Sequence, residues 1–206
     1  MTSRIGLFFG SFNPVHNGHV AIARHMLAHG GLDELWVVVS PRNPFKSEED
    51  LLADEERLRM VQLAVAGCDG IRACDVEFGL PRPSYTIHTL RYLSQQYPDK
   101  HFVLIIGSDC LNQFHQWRAA DEIIRDYPRL VYPRPGTDPE LMANIPNGRL
   151  VEAEYMDISS TRIREMIRSG LAVDTLVPPA VAAYIRRHRL YAAPAALPPA
   201  LEVGTE

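Results

Sequence analysis

Six short apolar runs punctuate the chain: residues 5–9 (IGLFF), 34–40 (ELWVVVS), 71–76 (IRACDV), 101–107 (HFVLIIG), 129–133 (RLVYP) and 149–155 (RLVEAEY). Their length and their β-branched and aromatic content predict strands. Val37 to Val39 and Val103 to Ile106 are continuous rather than alternating, as in strands covered on both faces. Between them lie helix-period segments at residues 19–30, closing on Gly30, at 54–67, opening with Asp54 and closing on Gly67, and at 84–98, halted before Pro98. Residues 158–170 and 178–191 read as two C-terminal helices, and the turn-rich residues 133–148 as a loop. Strand and helix alternate, which predicts an α/β fold with a doubly wound, mostly parallel sheet followed by C-terminal helices.

A length of 206 residues with 46% hydrophobic content suffices for one sizeable core, expected over residues 1–191. The Ala- and Pro-rich residues 192–206 lack periodicity and are expected to form a disordered tail. A net charge of -4 gives no global attraction to nucleic acid or to an anionic membrane, so neither is expected as a partner. The three cysteines, Cys68, Cys74 and Cys110, have no C-x-x-C spacing, which argues against a disulfide framework or a zinc cage and fits a reducing compartment. No leader pattern and no apolar stretch approaching ~20 residues is present, so a cytoplasmic location is expected.

The first run leads into GSFNPVHNGH, residues 10–19. In a doubly wound sheet, ligands bind beyond the carboxyl ends of the strands, where turn N–H groups and a helix N-terminus face an anion. Gly10 permits close backbone approach, Pro14 stiffens the turn, and Gly18 makes room where the helix begins. His16 and His19, one turn apart, can aim N–H donors at one phosphate. From the residues alone two other accounts stay open: metal ligands, although no third ligand of recognisable spacing is evident, and packed or solvent-facing rings. The glycine spacing is not the G-x-G-x-x-G fingerprint, and no G-K-[ST] follows as in a P-loop.

GSFNPVHNGH resembles the His-x-Gly-His signature of the nucleotidyltransferase superfamily, and ISSTRIR (residues 158–164) resembles its second signature, Ile-Ser-Ser-Thr-x-Ile-Arg. SPRNPFK (40–46), SYTIHTL (84–90), IIGSDCLNQFHQW (105–117) and VPPAVAAYIRRHRLY (177–191) are similar to segments of bacterial nicotinate-nucleotide adenylyltransferases. The likeness runs from about residue 4 to residue 191. It departs at Asn13, where the family usually has Asp, and at His88, where Asp is again usual.

The resemblance implies a Rossmann-like sheet and attack of a mononucleotide 5′-phosphate on the α-phosphorus of ATP, with ATP and nicotinate mononucleotide as partners. Mg²⁺ would arrive with ATP, held by phosphate oxygens and water rather than by a protein cage. Such chemistry relies on positioning and charge neutralisation, so no protein nucleophile is needed. Carried onto matching positions, the family's roles give His16, His19 and Arg162 to catalysis and Gly10, Ser11 and Phe12 to the substrate phosphates. Ser159 would cap a helix aimed at the ATP phosphates, Thr161 would add a donor, and Lys46 would reach in from a loop. Gly107 would let the nucleotide lie close to the backbone and Asp109 would accept from a ribose hydroxyl. Trp117 would stack on the nicotinate ring, with Ser84, Tyr85 and Thr86 around its carboxylate.

Rival readings are sister nucleotidyltransferases taking nicotinamide mononucleotide, phosphopantetheine or choline phosphate, a tRNA-ligase-like module, and an adenine-nucleotide sensor without turnover. The acceptor residues discriminate the first. The acidic balance and the lack of a Lys-Met-Ser-Lys-Ser-like loop weigh against the second. The intact motifs give no support to the third. A homo-oligomer is left open.

Overall fold

The computed structural model describes residues 2–42, 51–154 and 156–192. Among these, six strands form one sheet: β1 (Ser3–Gly10), β2 (Glu34–Val39), β3 (Ile71–Cys74), β4 (Lys100–Gly107), β5 (Arg129–Tyr132) and β6 (Gly148–Leu150). Their order is β3-β2-β1-β4-β5-β6, and every pair is parallel. The helices are α1 (Asn17–His29), α2 (Asp54–Val65), α3 (Thr86–Gln96), α4 (Ala120–Asp126), α5 (Pro139–Ala143), α6 (Ser160–Arg168) and α7 (Pro179–His188). This is the Rossmann-like, doubly wound arrangement that the alternating pattern predicts.

Successive strand residues face opposite sides. Phe8, Val37, Ile105 and Leu130 pack with Met26 of α1, Met60 of α2, Ile163 of α6 and Ile185 of α7. Their neighbours Leu7, Val38, Leu104 and Val131 pack with Leu90 of α3 and Ile123 of α4 on the other face. The continuous valine and isoleucine runs of β2 and β4 are thus apolar because both faces are covered. The chain moves outward from β1 in one direction and from β4 in the other, so the strand order reverses between them. A crevice opens at that point, beyond Gly10 and Gly107.

Several boundaries differ from the sequence pattern. The last strand covers Gly148–Leu150 rather than 149–155, because its partner β5 ends at Tyr132 before Pro133, which has no N–H to continue the ladder. The turn-rich stretch 133–148 contains α5, capped by Asp138, whose side chain accepts from the Glu140 N–H at 2.9 Å. Residues 108–126 hold a 3₁₀ segment, Ser108–Gln116, and α4, neither of which the pattern predicts. The expected tail beyond Ala192, like Lys46, lies outside the described residues. No helix among the described residues is long and apolar enough to cross a membrane.

Candidate active site

The crevice encloses about 650 Å³, within the range of small-molecule sites. Its floor is the β1–α1 turn. Phe12 there has φ 48°, a left-handed conformation rare for a bulky residue, and its ring folds back over Gly10. A Cβ on Gly10 would stand 2.7 Å from the Phe12 ring, so the glycine is required by this fold-back. The Phe12 ring is buried edge-on to both Phe8 and His19, which fixes the second imidazole from below.

His16 is the N-cap of α1, and the rings of His16 and His19 stack with centroids 3.6 Å apart. The His16 backbone N–H donates to Nδ1 of His19 at 3.2 Å. A neutral His19 must therefore carry its proton on Nε2, which leaves that nitrogen as a donor. Nδ1 of His16 is buried and finds no partner with hydrogen-bond geometry. Burial, reinforced by the Arg134 guanidinium, pushes the His16 imidazole down to about 4, so it is neutral at physiological pH. The neutral His16 and the His19 ring stacked on it both line the cavity.

The second motif is physically locked to the first. Ser159 caps α6, its hydroxyl accepting from the Arg162 N–H at 3.2 Å. The Ser160 hydroxyl donates to the Pro14 carbonyl at 2.9 Å, and the Arg164 guanidinium donates to the Asn13 carbonyl at 2.9 Å. The Asn13 side-chain oxygen accepts from the Tyr191 hydroxyl at 2.8 Å and the Leu52 N–H at 3.3 Å. An Asp at this position would accept the same two bonds, so the departure at Asn13 preserves the clasp. Ser159 and Thr161 line the cavity. The Arg162 side chain is exposed and outside that lining, whereas Arg164 is part of it.

On the β4 side, a Cβ on Gly107 would collide with the Asp109 carboxylate and stand 3.0 Å from Arg134, so glycine lets both side chains close over the strand end. Asp109 lies 3.7 Å from the Arg134 guanidinium. That pairing adds a cation that the sequence pattern did not single out, and it engages the carboxylate expected to meet a ribose.

The opposite wall is built from Ser84, Tyr85, Thr86 and Trp117. The Ser84 N–H is committed to the Arg42 carbonyl at 2.9 Å, so the backbone donors at the start of α3 begin with those of Tyr85 and Thr86. One face of Trp117 is covered by Phe114, stacked at 4.8 Å. His88 packs edge-on against Tyr85. Beneath this wall Glu77 is buried, taking a 2.6 Å bond from the Thr89 hydroxyl, and burial raises its carboxyl above the ordinary range.

One further residue escaped the sequence pattern entirely. Arg57 of α2 is fully buried and donates to the carbonyls of Ser11 (2.7 Å), Ser40 (2.8 Å), Leu52 (3.0 Å) and Pro41 (3.4 Å), and to Asp54 at 2.5 Å. It ties the β1–α1 turn to the end of β2.

The sequence profile of the cytidylyltransferase-like family matches residues 7–166, a span that contains both motifs. This chain belongs to that family. A probable nicotinate-nucleotide adenylyltransferase of Bacteroides fragilis is 46% identical over 87% of this chain and 89% of its own. One of the same name from Cytophaga hutchinsonii is 45% identical over 91% and 98%. The fold matches that of the Plasmodium falciparum nicotinic acid mononucleotide adenylyltransferase complexed with NaAD, with a TM-score of 0.79 and 20% identity over 92% of this chain and 97% of the other.

Proposed function

We propose that this protein is a nicotinate-nucleotide adenylyltransferase of NAD biosynthesis, joining ATP and nicotinate mononucleotide into nicotinate adenine dinucleotide and pyrophosphate. One observation carries the reading beyond the family: the two motifs are locked together by the Ser160 and Arg164 bonds, and both line one cavity with Trp117 and Thr86.

A 5′-phosphate oxygen of the mononucleotide attacks the α-phosphorus, the bond to the α–β bridging oxygen breaks, and pyrophosphate leaves with that electron pair. Negative charge grows on the leaving and non-bridging oxygens. His19, with its proton on Nε2, and the neutral His16 are suited to donate to those oxygens, and the capped start of α6 offers backbone N–H groups to the pyrophosphate moiety. Arg134 adds positive charge beside His16. Lys46 and Arg162 belong to this proposal on the strength of their motifs.

Mg²⁺ is proposed to travel on the phosphates of ATP. Magnesium demands oxygen ligands, and among the described residues no group of three or more His, Cys, Asp or Glu is placed to hold a metal. Asp109 and Glu77 are the only carboxylates among the described residues of the lining, the first paired with Arg134 and the second beneath the acceptor wall.

Pyrophosphate release from Mg·ATP, measured in parallel with nicotinate mononucleotide, nicotinamide mononucleotide and phosphopantetheine, tests the reading. Release chiefly with the nicotinate form is expected, and His19→Ala should lower kcat by about 10²–10³-fold with the fold intact. Release with phosphopantetheine alone, or with no acceptor, overturns it.

A further inference from the structure

We propose that Arg118 reads the carboxylate on the acceptor's pyridine ring and thereby sets the preference for an acid over an amide mononucleotide. This rests on the adenylyl-transfer reading above. Arg118 directly follows Trp117, lines the same cavity as Ser84, Tyr85 and Thr86, and lays its guanidinium 4.9 Å from the centre of the Tyr85 ring. Other arginines around the crevice are engaged: Arg134 with Asp109, Arg57 with Asp54 and four carbonyls, Arg164 with the Asn13 carbonyl. Arg118 is exposed and forms no ion pair among the described residues; its cation sits against the half-buried Tyr85 ring.

The chemistry of the wall suits such a group. A carboxylate offers about four lone-pair sites and a full negative charge, and the donors left on the wall, the Tyr85 and Thr86 N–H groups among them, are neutral. A guanidinium can take two of those sites at once in a planar fork, and it gives up only a cation–π contact to do so. A carboxamide presents a single oxygen and no charge, so the same fork gains far less from it.

The test is steady-state pyrophosphate release by wild type, R118Q, R118K and R42Q, with nicotinate and nicotinamide mononucleotides at saturating ATP. Arg118 is exposed, so R118Q is expected to unfold at the wild-type temperature, checked by circular dichroism. R118Q should lower kcat/KM for the acid by about ten- to a hundredfold, mostly through KM, and change the amide less than about threefold. R118K should fall between. Equal losses on both acceptors would make Arg118 a packing residue for Tyr85 and overturn the proposal, as would an unchanged acid-to-amide ratio or a ratio that moves with R42Q instead. Wild type that is active with the acid while R118Q keeps its ratio refutes this inference alone. Wild type inactive with both mononucleotides refutes the adenylyl-transfer reading, and this inference with it.

Discussion

Replacing Arg57 by methionine keeps an unbranched stem and most of the volume of a fully buried side chain but removes its guanidinium, with its charge and donors. The carbonyls of Ser11 and Ser40 then lose bonds of 2.7 and 2.8 Å, and those of Leu52 and Pro41 lose longer ones. Asp54 keeps its 2.6 Å partner Arg82, which is half exposed, so the carboxylate is not stranded. Each orphaned buried acceptor costs about 1–3 kcal/mol, while relief of guanidinium desolvation offsets part of the sum, leaving a net loss of about 3–5 kcal/mol. That is a large share of the ~5–15 kcal/mol by which domains are stable. Urea unfolding followed by circular dichroism should show the midpoint falling by about 2 M at unchanged slope, for a slope near 2 kcal/mol/M. Asp54→Asn should cost less than half as much, because the four carbonyl bonds survive. A shift below about 0.5 M for Arg57→Met, or equal costs for the two variants, would refute the view of Arg57 as the clamp of the turn.

If Trp117 stacks on the mononucleotide as proposed, Trp117→Ala should raise KM for the mononucleotide roughly tenfold and leave that for ATP nearly unchanged; equal effects would remove the assignment. Tyr191→Phe removes the 2.8 Å bond to Asn13 and should lower stability by about 1 kcal/mol in the same urea assay, an unchanged midpoint arguing that the hydroxyl adds nothing to the clasp. The folded His16 imidazole titrates at about 4 against an ordinary 6.5, so the unfolded chain takes up that proton first. Stability present above pH 6.5 is lost as pH falls through the interval to 4, by roughly 3 kcal/mol in full. Wild type should therefore lose Tm between pH 7 and 4.5 more steeply than His16→Asn, and parallel curves would contradict the burial argument.

The sheet was legible because period-2 and continuous apolar runs survive even where both faces are covered, as in Val37 to Val39. The site motifs were legible because His16, His19 and Ser159 are close in sequence to the turns that aim them. What escaped the pattern falls into two kinds. α4 spans seven residues and α5 five, too few turns for a helical period to stand out. Arg57 sits among Glu55, Glu56 and Arg59, where any charged side chain reads as a solvated face. Its meaning comes from carbonyls at residues 11, 40 and 41, and backbone oxygens leave no trace in composition. Arg134 was hidden similarly, inside a Pro- and Gly-rich stretch that reads as a loop.

The clasp on Asn13 also has a temporal meaning. Its partners Arg164 and Tyr191 are made 151 and 178 residues after it, so a ribosome releases the β1–α1 turn long before it releases the side chains that hold it. At about 5–20 residues per second, the turn waits roughly ten to thirty-five seconds for Tyr191. During synthesis the chain thus carries its histidine pair without the segments that close over it, and the completed crevice is a property of the finished C-terminal helices as much as of the motif at the start.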